Sequence, residues 1–156
     1  MLILILMVFT MFLMIFDIGA KILVENNITR GEEHDILDGN VKLRKVYNEG
    51  ICFNLFDEHQ KEVGILSSFV TVILTIYQLL VLMQKKHYLK KLGLSLMTAG
   101  AWSNTLDRVT RHYVVDYFSF KTKWKKLNDL TFNLADIFVI TGSLLLMISS
   151  LFHKKK

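Results

Sequence analysis

Residues 134–152 read LADIFVITGSLLLMISSLF, a run in which Asp136 is the only charged side chain. A helix that crosses the hydrocarbon core needs about 20 predominantly apolar residues. The stretch therefore reads as a membrane span that carries one carboxylate close to its start. An ionisable group in such a helix costs about 3 kcal/mol on insertion scales, so it faces a bundle interior or an aqueous cleft and marks function. Asp136 is thus the first candidate for chemistry, and the rest of the chain must supply its surroundings.

Three further apolar runs do so. Met1 to Phe16 is apolar apart from Thr10, Val63 to Met83 lacks a charged residue, and Leu92 to Leu106 is shorter and turns polar late. With spans of about 1–18, 63–83, 90–107 and 134–152, the expected fold class is membrane α-helical, a four-span bundle in a single membrane-embedded domain. A cleaved leader is the competing reading of the first run, but no Lys or Arg precedes it and no small-x-small site follows. The chain has no proline, which suits uninterrupted helices. In the insert of about 22–60, Val41-Lys42-Leu43-Arg44-Lys45-Val46-Tyr47 alternates with a period of two and predicts a strand.

With 156 residues, 52% of them hydrophobic, the chain is too apolar for an ordinary soluble domain. Its net charge of +5 comes from lysines crowded beside apolar runs, which fits membrane flanks and argues against a nucleic-acid partner. Lys85, Lys86, Lys90 and Lys91 fall between spans two and three, and Lys154, Lys155 and Lys156 follow span four. The positive-inside rule then sets the termini in the cytoplasm. Arg108, Arg111, Lys121, Lys123, Lys125 and Lys126 lie in the opposite loop and count against that orientation. Cys52 is the only cysteine and reads as a small buried hydrophobe.

Asp107 ends the third span and Asp136 opens the fourth. Consecutive spans run antiparallel, so both carboxylates lie at one membrane face. Two carboxylates at close range cannot both ionise freely; one holds a proton while the other stays charged, which equips the pair to activate water and protonate a leaving amide nitrogen. Asn104 precedes Asp107 by three residues and Asn133 precedes Asp136 by three, a spacing that shares a helical face and lets each amide orient a carboxylate or a peptide. Arg108 suits a lipid phosphate or a carboxylate. The plain alternative is that each Asp caps or solvates a helix end. His34, His59, His87, His112 and His153 form no metal-binding pattern, so no metal and no cofactor are expected. Ser67, Ser68, Ser95 and Ser103 read as helix-packing residues rather than nucleophiles, and Trp102 and Trp124 as interfacial anchors.

Five blocks in order resemble the lipoprotein signal peptidase (signal peptidase II) family of aspartic membrane peptidases. Asp17-Ile18-Gly19-Ala20-Lys21 is similar to its Asp-x-x-x-Lys, and Asn48-Glu49-Gly50-Ile51-Cys52-Phe53 to its Asn-x-Gly-x-x-Phe. Asn104-Thr105-Leu106-Asp107-Arg108 resembles Asn-x-x-Asp-Arg, Val114-Val115-Asp116-Tyr117 resembles Val-Val-Asp-aromatic, and Phe132-Asn133-Leu134-Ala135-Asp136 resembles Phe-Asn-x-Ala-Asp. Ile51, Cys52, Trp102 and Ser103 depart from the usual residues, and the proline common before the last block is absent.

The resemblance implies a four-helix bundle with a small extramembrane β cradle and a short extramembrane arm, in a bacterial cytoplasmic membrane, acting as a monomer without nucleic acid. It implies an endopeptidase that cuts diacylglyceryl-modified prolipoproteins just before the lipidated cysteine, near the extracytoplasmic face and in contact with membrane lipid. Asp107 and Asp136 would be catalytic. Asn48, Gly50, Asn104, Arg108, Asn133 and Ala135 would bind substrate or support the pair, with Asp17, Lys21 and Asp116 behind them. Presenilin-type proteases also pair two Asp residues, but their Gly-x-Gly-Asp is missing here. A non-enzymatic membrane protein that uses the acidic pair for ion contact or helix packing is the remaining alternative.

Overall fold

The computed structural model describes residues 1–50, 57–123 and 128–153. Elements follow the order α1 (Leu2–Asn27), β1 (Glu33–Ile36), β2 (Val41–Asn48), a 3-10 turn (Asp57–His59), α2 (Gln60–Leu82), α3 (Tyr88–Arg111), β3 (Val114–Phe120) and α4 (Leu134–His153). Three helices are long and apolar enough to cross a membrane: Leu2–Asn27, Gln60–Leu82 and Leu134–Phe152. Their large apolar side chains point outward, as Phe12, Phe69 and Met147 do, which suits a hydrocarbon solvent.

α3 is different. Its 24 residues would extend about 36 Å, yet it is the least apolar of the helices. The other three pack around it, and Gly93, Ser95, Thr98, Gly100 and Ser103 are all buried. A helix shielded by its neighbours needs small and hydrogen-bonding residues for close approach, not lipid-compatible ones. The α3–α4 seam is the tightest: a Cβ at Gly100 would run into the Ala135 carbonyl, and one at Gly142 into that of Gly93. Between α2 and α3, Thr71 meets Thr105 at 2.8 Å and Trp102 donates from Nε1 to Thr75 Oγ1 at 3.0 Å. Trp102 thus ties two helices together, whereas the sequence suggested an interfacial anchor. Lys91, counted above as a loop charge, is buried and donates to the carbonyls of Leu82 and Gln84, closing the last turn of α2.

α1 continues to Asn27, past the expected end of its span near residue 18, because Asp17, Lys21 and Val24 are buried against the bundle. The strand expected over 41–47 is β2, the centre of an antiparallel sheet ordered β1-β2-β3. α3 ends at His112, which adopts a left-handed φ of 67° while its N–H reaches Arg108 O. The reversal feeds β3 back along β2 with Val46 opposite Asp116 and Asn48 opposite Val114. Val115 and Tyr117 join Val24 and Ile28 in a core where the sheet sits on the end of α1. Cys52, Trp124 and the lysines at 125, 126 and 154–156 lie outside the described residues.

Candidate active site

Four elements bring carboxylates to one end of the bundle. Asp136 lies in the first turn of α4, where Asn133 precedes the helix. The Asn133 side-chain Oδ1 accepts the Asp136 N–H at 2.9 Å, and Asp136 Oδ2 accepts the Asn133 N–H at 3.1 Å. This reciprocal cap satisfies two backbone donors that a helix start leaves open. Part of the plain reading of Asp136 therefore holds, since it does close a helix end. Its other oxygen, Oδ1, accepts from Asn104 Nδ2 at 2.9 Å, so Asn104 reaches across to α4 instead of serving Asp107 on its own helix.

Asp116 is buried on β3, and among the described residues it is held by amides on both oxygens. Asn133 Nδ2 donates to Oδ1 at 2.7 Å and Asn48 Nδ2 to Oδ2 at 3.1 Å. Burial first, and then the neighbouring Asp136 charge, push its carboxyl up to about 7. Asn133 also donates to Asn104 Oδ1 at 3.1 Å, so one amide links the supports of both carboxylates.

Asp116 and Asp136 line the same cavity, about 500 Å³, which opens between α2, α3 and α4. Asn48, Asn104 and Arg108 line it with them, and its outer walls are apolar through Leu66, Val70, Val139 and Ile140. Arg108 NH2 donates to Gly50 O at 3.1 Å. Ala135 is buried against Gly100 and shapes the seam rather than offering a functional group.

Asp107, which the sequence paired with Asp136, does not line that cavity. It lies behind Asn104 and is claimed by cations. Lys21 Nζ is 3.0 Å from its Oδ2, Arg111 Nε is 3.7 Å from Oδ1, and the Val115 N–H reaches Oδ2 at 3.4 Å. Lys21 is itself buried and also pairs with Asp17 at 3.0 Å, donating in addition to Ser103 Oγ and Asn104 Oδ1 at 3.1 and 2.8 Å. Ser103 passes its own hydrogen to Asp17 at 2.6 Å, and Tyr117 donates to the other Asp17 oxygen at 3.0 Å. Helix ends alone match Asp107 to Asp136 in depth. Asp116 arrives on a strand, and the bridge between Phe118 of β3 and Phe132, just before α4, brings it level with Asp136.

A bundle of lipid-compatible helices with a buried acidic cluster opening onto a cavity defines a multi-pass membrane protein. Residues 9–152 match the family described as signal peptidase (SPase) II. The chain is 34% identical to the lipoprotein signal peptidase of Clostridioides difficile over 88% of each chain, and 29% identical to that of Fusobacterium nucleatum over 92% of this chain and 84% of the relative. Its fold is similar to that of a bacterial membrane enzyme solved by the in meso method at 2.3 Å, with a TM-score of 0.82, 20% identity and coverage of 96% and 89% of the two chains. The chain belongs to the signal peptidase II family, and is a peptidase of that kind.

Proposed function

We propose that the protein is an aspartic endopeptidase that removes signal peptides from diacylglyceryl-modified prolipoproteins, cutting just before the lipidated cysteine, with Asp116 and Asp136 as the reacting pair. The observation that carries this assignment is their common cavity, in which each carboxylate is held by carboxamides and, among the described residues, neither is paired with a cation. Asp107 stands in the supporting network instead, because its oxygens are taken up by Lys21 and Arg111 and it does not line the cavity.

One carboxylate takes a proton from water as the water oxygen attacks the scissile carbonyl carbon. The other delivers its proton to the departing amide nitrogen, and the C–N bond breaks. Asn104 and Asn133 fix the directions of the acceptor oxygens. Asn48 Oδ1 is buried without a hydrogen-bond partner among the described residues and is suited to accept a peptide N–H of the substrate. Arg108, beside the Gly50 carbonyl, suits the polar end of the lipid or peptide. The apolar lower walls suit acyl chains and an apolar signal helix arriving through the bilayer.

α3 supplies the fourth crossing in this reading, long enough to span and shielded from lipid by the other three helices. Four crossings put both termini on one side; if the lysines between spans two and three make that side cytoplasmic, the sheet and the acidic pair lie at the extracytoplasmic face of a bacterial cytoplasmic membrane. The test is cleavage of a diacylglyceryl-modified precursor by purified protein, beside the same precursor without lipid. Cleavage of the lipidated form alone, lost in Asp136→Asn, is the expected result. Equal cleavage by Asp136→Asn would remove the aspartic mechanism.

A further inference from the structure

Tyr117 follows Asp116 directly, and its side chain turns away from the cavity into the core with Val24, Ile28 and Val115. Its hydroxyl makes two bonds there. It donates to Asp17 Oδ1 at 3.0 Å, and it accepts the N–H of Leu134 at 3.1 Å. Leu134 is the first residue of α4, and Asp136 lies in that same turn. First-turn amides have no partner inside their own helix, so the hydroxyl fills one of the vacancies that the Asn133 and Asp136 cap does not. Burial, followed by the Asp17 charge, keeps the phenol protonated well above its ordinary range, as a permanent donor to Asp17.

We propose that the Tyr117 hydroxyl is a positioning residue for the hydrolysis, fixing the first turn of α4, and with it Asp136, at a set distance from Asp116. The inference rests on the Asp116–Asp136 reading given above. β3 then holds both partners at once: residue 116 supplies one carboxylate, and residue 117 anchors the turn that carries the other. Asp17, locked on its second oxygen by Ser103 and Lys21, is the fixed post of the arrangement. Because the ring is held by packing, removal of the oxygen alone separates positioning from filling space.

The experiment compares Tyr117→Phe and Asp116→Asn with the parent in detergent or bilayer, using a lipidated precursor. Tyr117→Phe is expected to lower kcat about tenfold, leave KM within about twofold, and move the basic limb of the pH profile to lower pH, since a wider carboxylate separation weakens the repulsion that retains the shared proton. A variant that loses thermal stability yet keeps the parent kcat per folded molecule and the parent pH profile overturns the inference. Asp116→Asn should be inactive; if it cleaves, the underlying reading falls, and the inference with it. Should Tyr117→Phe not fold, 3,5-difluorotyrosine at position 117 keeps the oxygen but makes it a weaker acceptor for the Leu134 N–H. A kcat at least twofold lower then supports the inference, and an unchanged kcat contradicts it.

Discussion

Two carboxylate stations stand side by side at the sheet end of the bundle and differ in what surrounds them. Asp107 is enclosed by Lys21 and Arg111, and Lys21 is shared with Asp17. Asp116 and Asp136 are bonded by the side chains of Asn48, Asn104 and Asn133 and by the Asn133 backbone N–H, and they face a cavity. The cations tie the first station into the bundle, whereas the amides aim the second at the cavity. The first station is therefore suited to holding structure and the second to moving protons. Asn104 joins them, accepting from Lys21 and donating to Asp136.

The largest effect on the supporting station is expected from Lys21→Met. It leaves two buried carboxylates without their shared cation, a change that costs about 3–5 kcal/mol when one partner of a buried pair is removed. Thermal unfolding in detergent should show a marked fall in Tm, with cleavage falling alongside it because Asn104 loses the donor that orients it. An unchanged Tm would mean that Asp17 and Asp107 do not depend on that cation.

At the reacting station the expected effect is in pH. The Asp116 carboxyl is raised to about 7, above the ordinary carboxylate range, so it is protonated below that pH and loses its proton above it. Hydrolysis needs one proton on the pair, and the rate should fall as pH rises past about 7. The two groups titrate together, so the limb reports the pair. A rate that still climbs well above that pH would contradict this assignment. The smallest shift is expected from Asn48→Ala, which removes a hydrogen bond that favours the charged form of Asp116 and so moves the same limb to higher pH. A limb that stays in place would show that Asn48 serves the substrate only.

Much of this was legible before any coordinates. Apolar runs marked the three lipid-facing helices, the period of two marked β2, and one carboxylate in an apolar run marked Asp136. The Asn133–Asp136 spacing marks a pair that bonds reciprocally, whereas the Asn104–Asp107 spacing does not find its partner, because a spacing of three describes one helix while Asn104 bonds across to Asp136 on another. Asp116 stood behind Asp107 in that reading. Its position depends on a reversal at His112 and a strand register, and neither leaves a hydrophobic signature. Ser103 and Tyr117 were read as a packing residue and as part of a motif. Their hydrogen bonds to Asp17 bridge residues 86 and 100 positions apart, beyond any local pattern. The available hint is Val114 to Phe120, whose β-rich composition announces a strand.

The most direct test of the account is the cleavage rate of purified Asp116→Asn on a diacylglyceryl-modified precursor, measured on protein whose Tm matches the parent. Loss of at least about a thousandfold, the range for removing a general acid or base, is the predicted result. Cleavage within about tenfold of the parent rate would contradict it and return the catalytic assignment to Asp107.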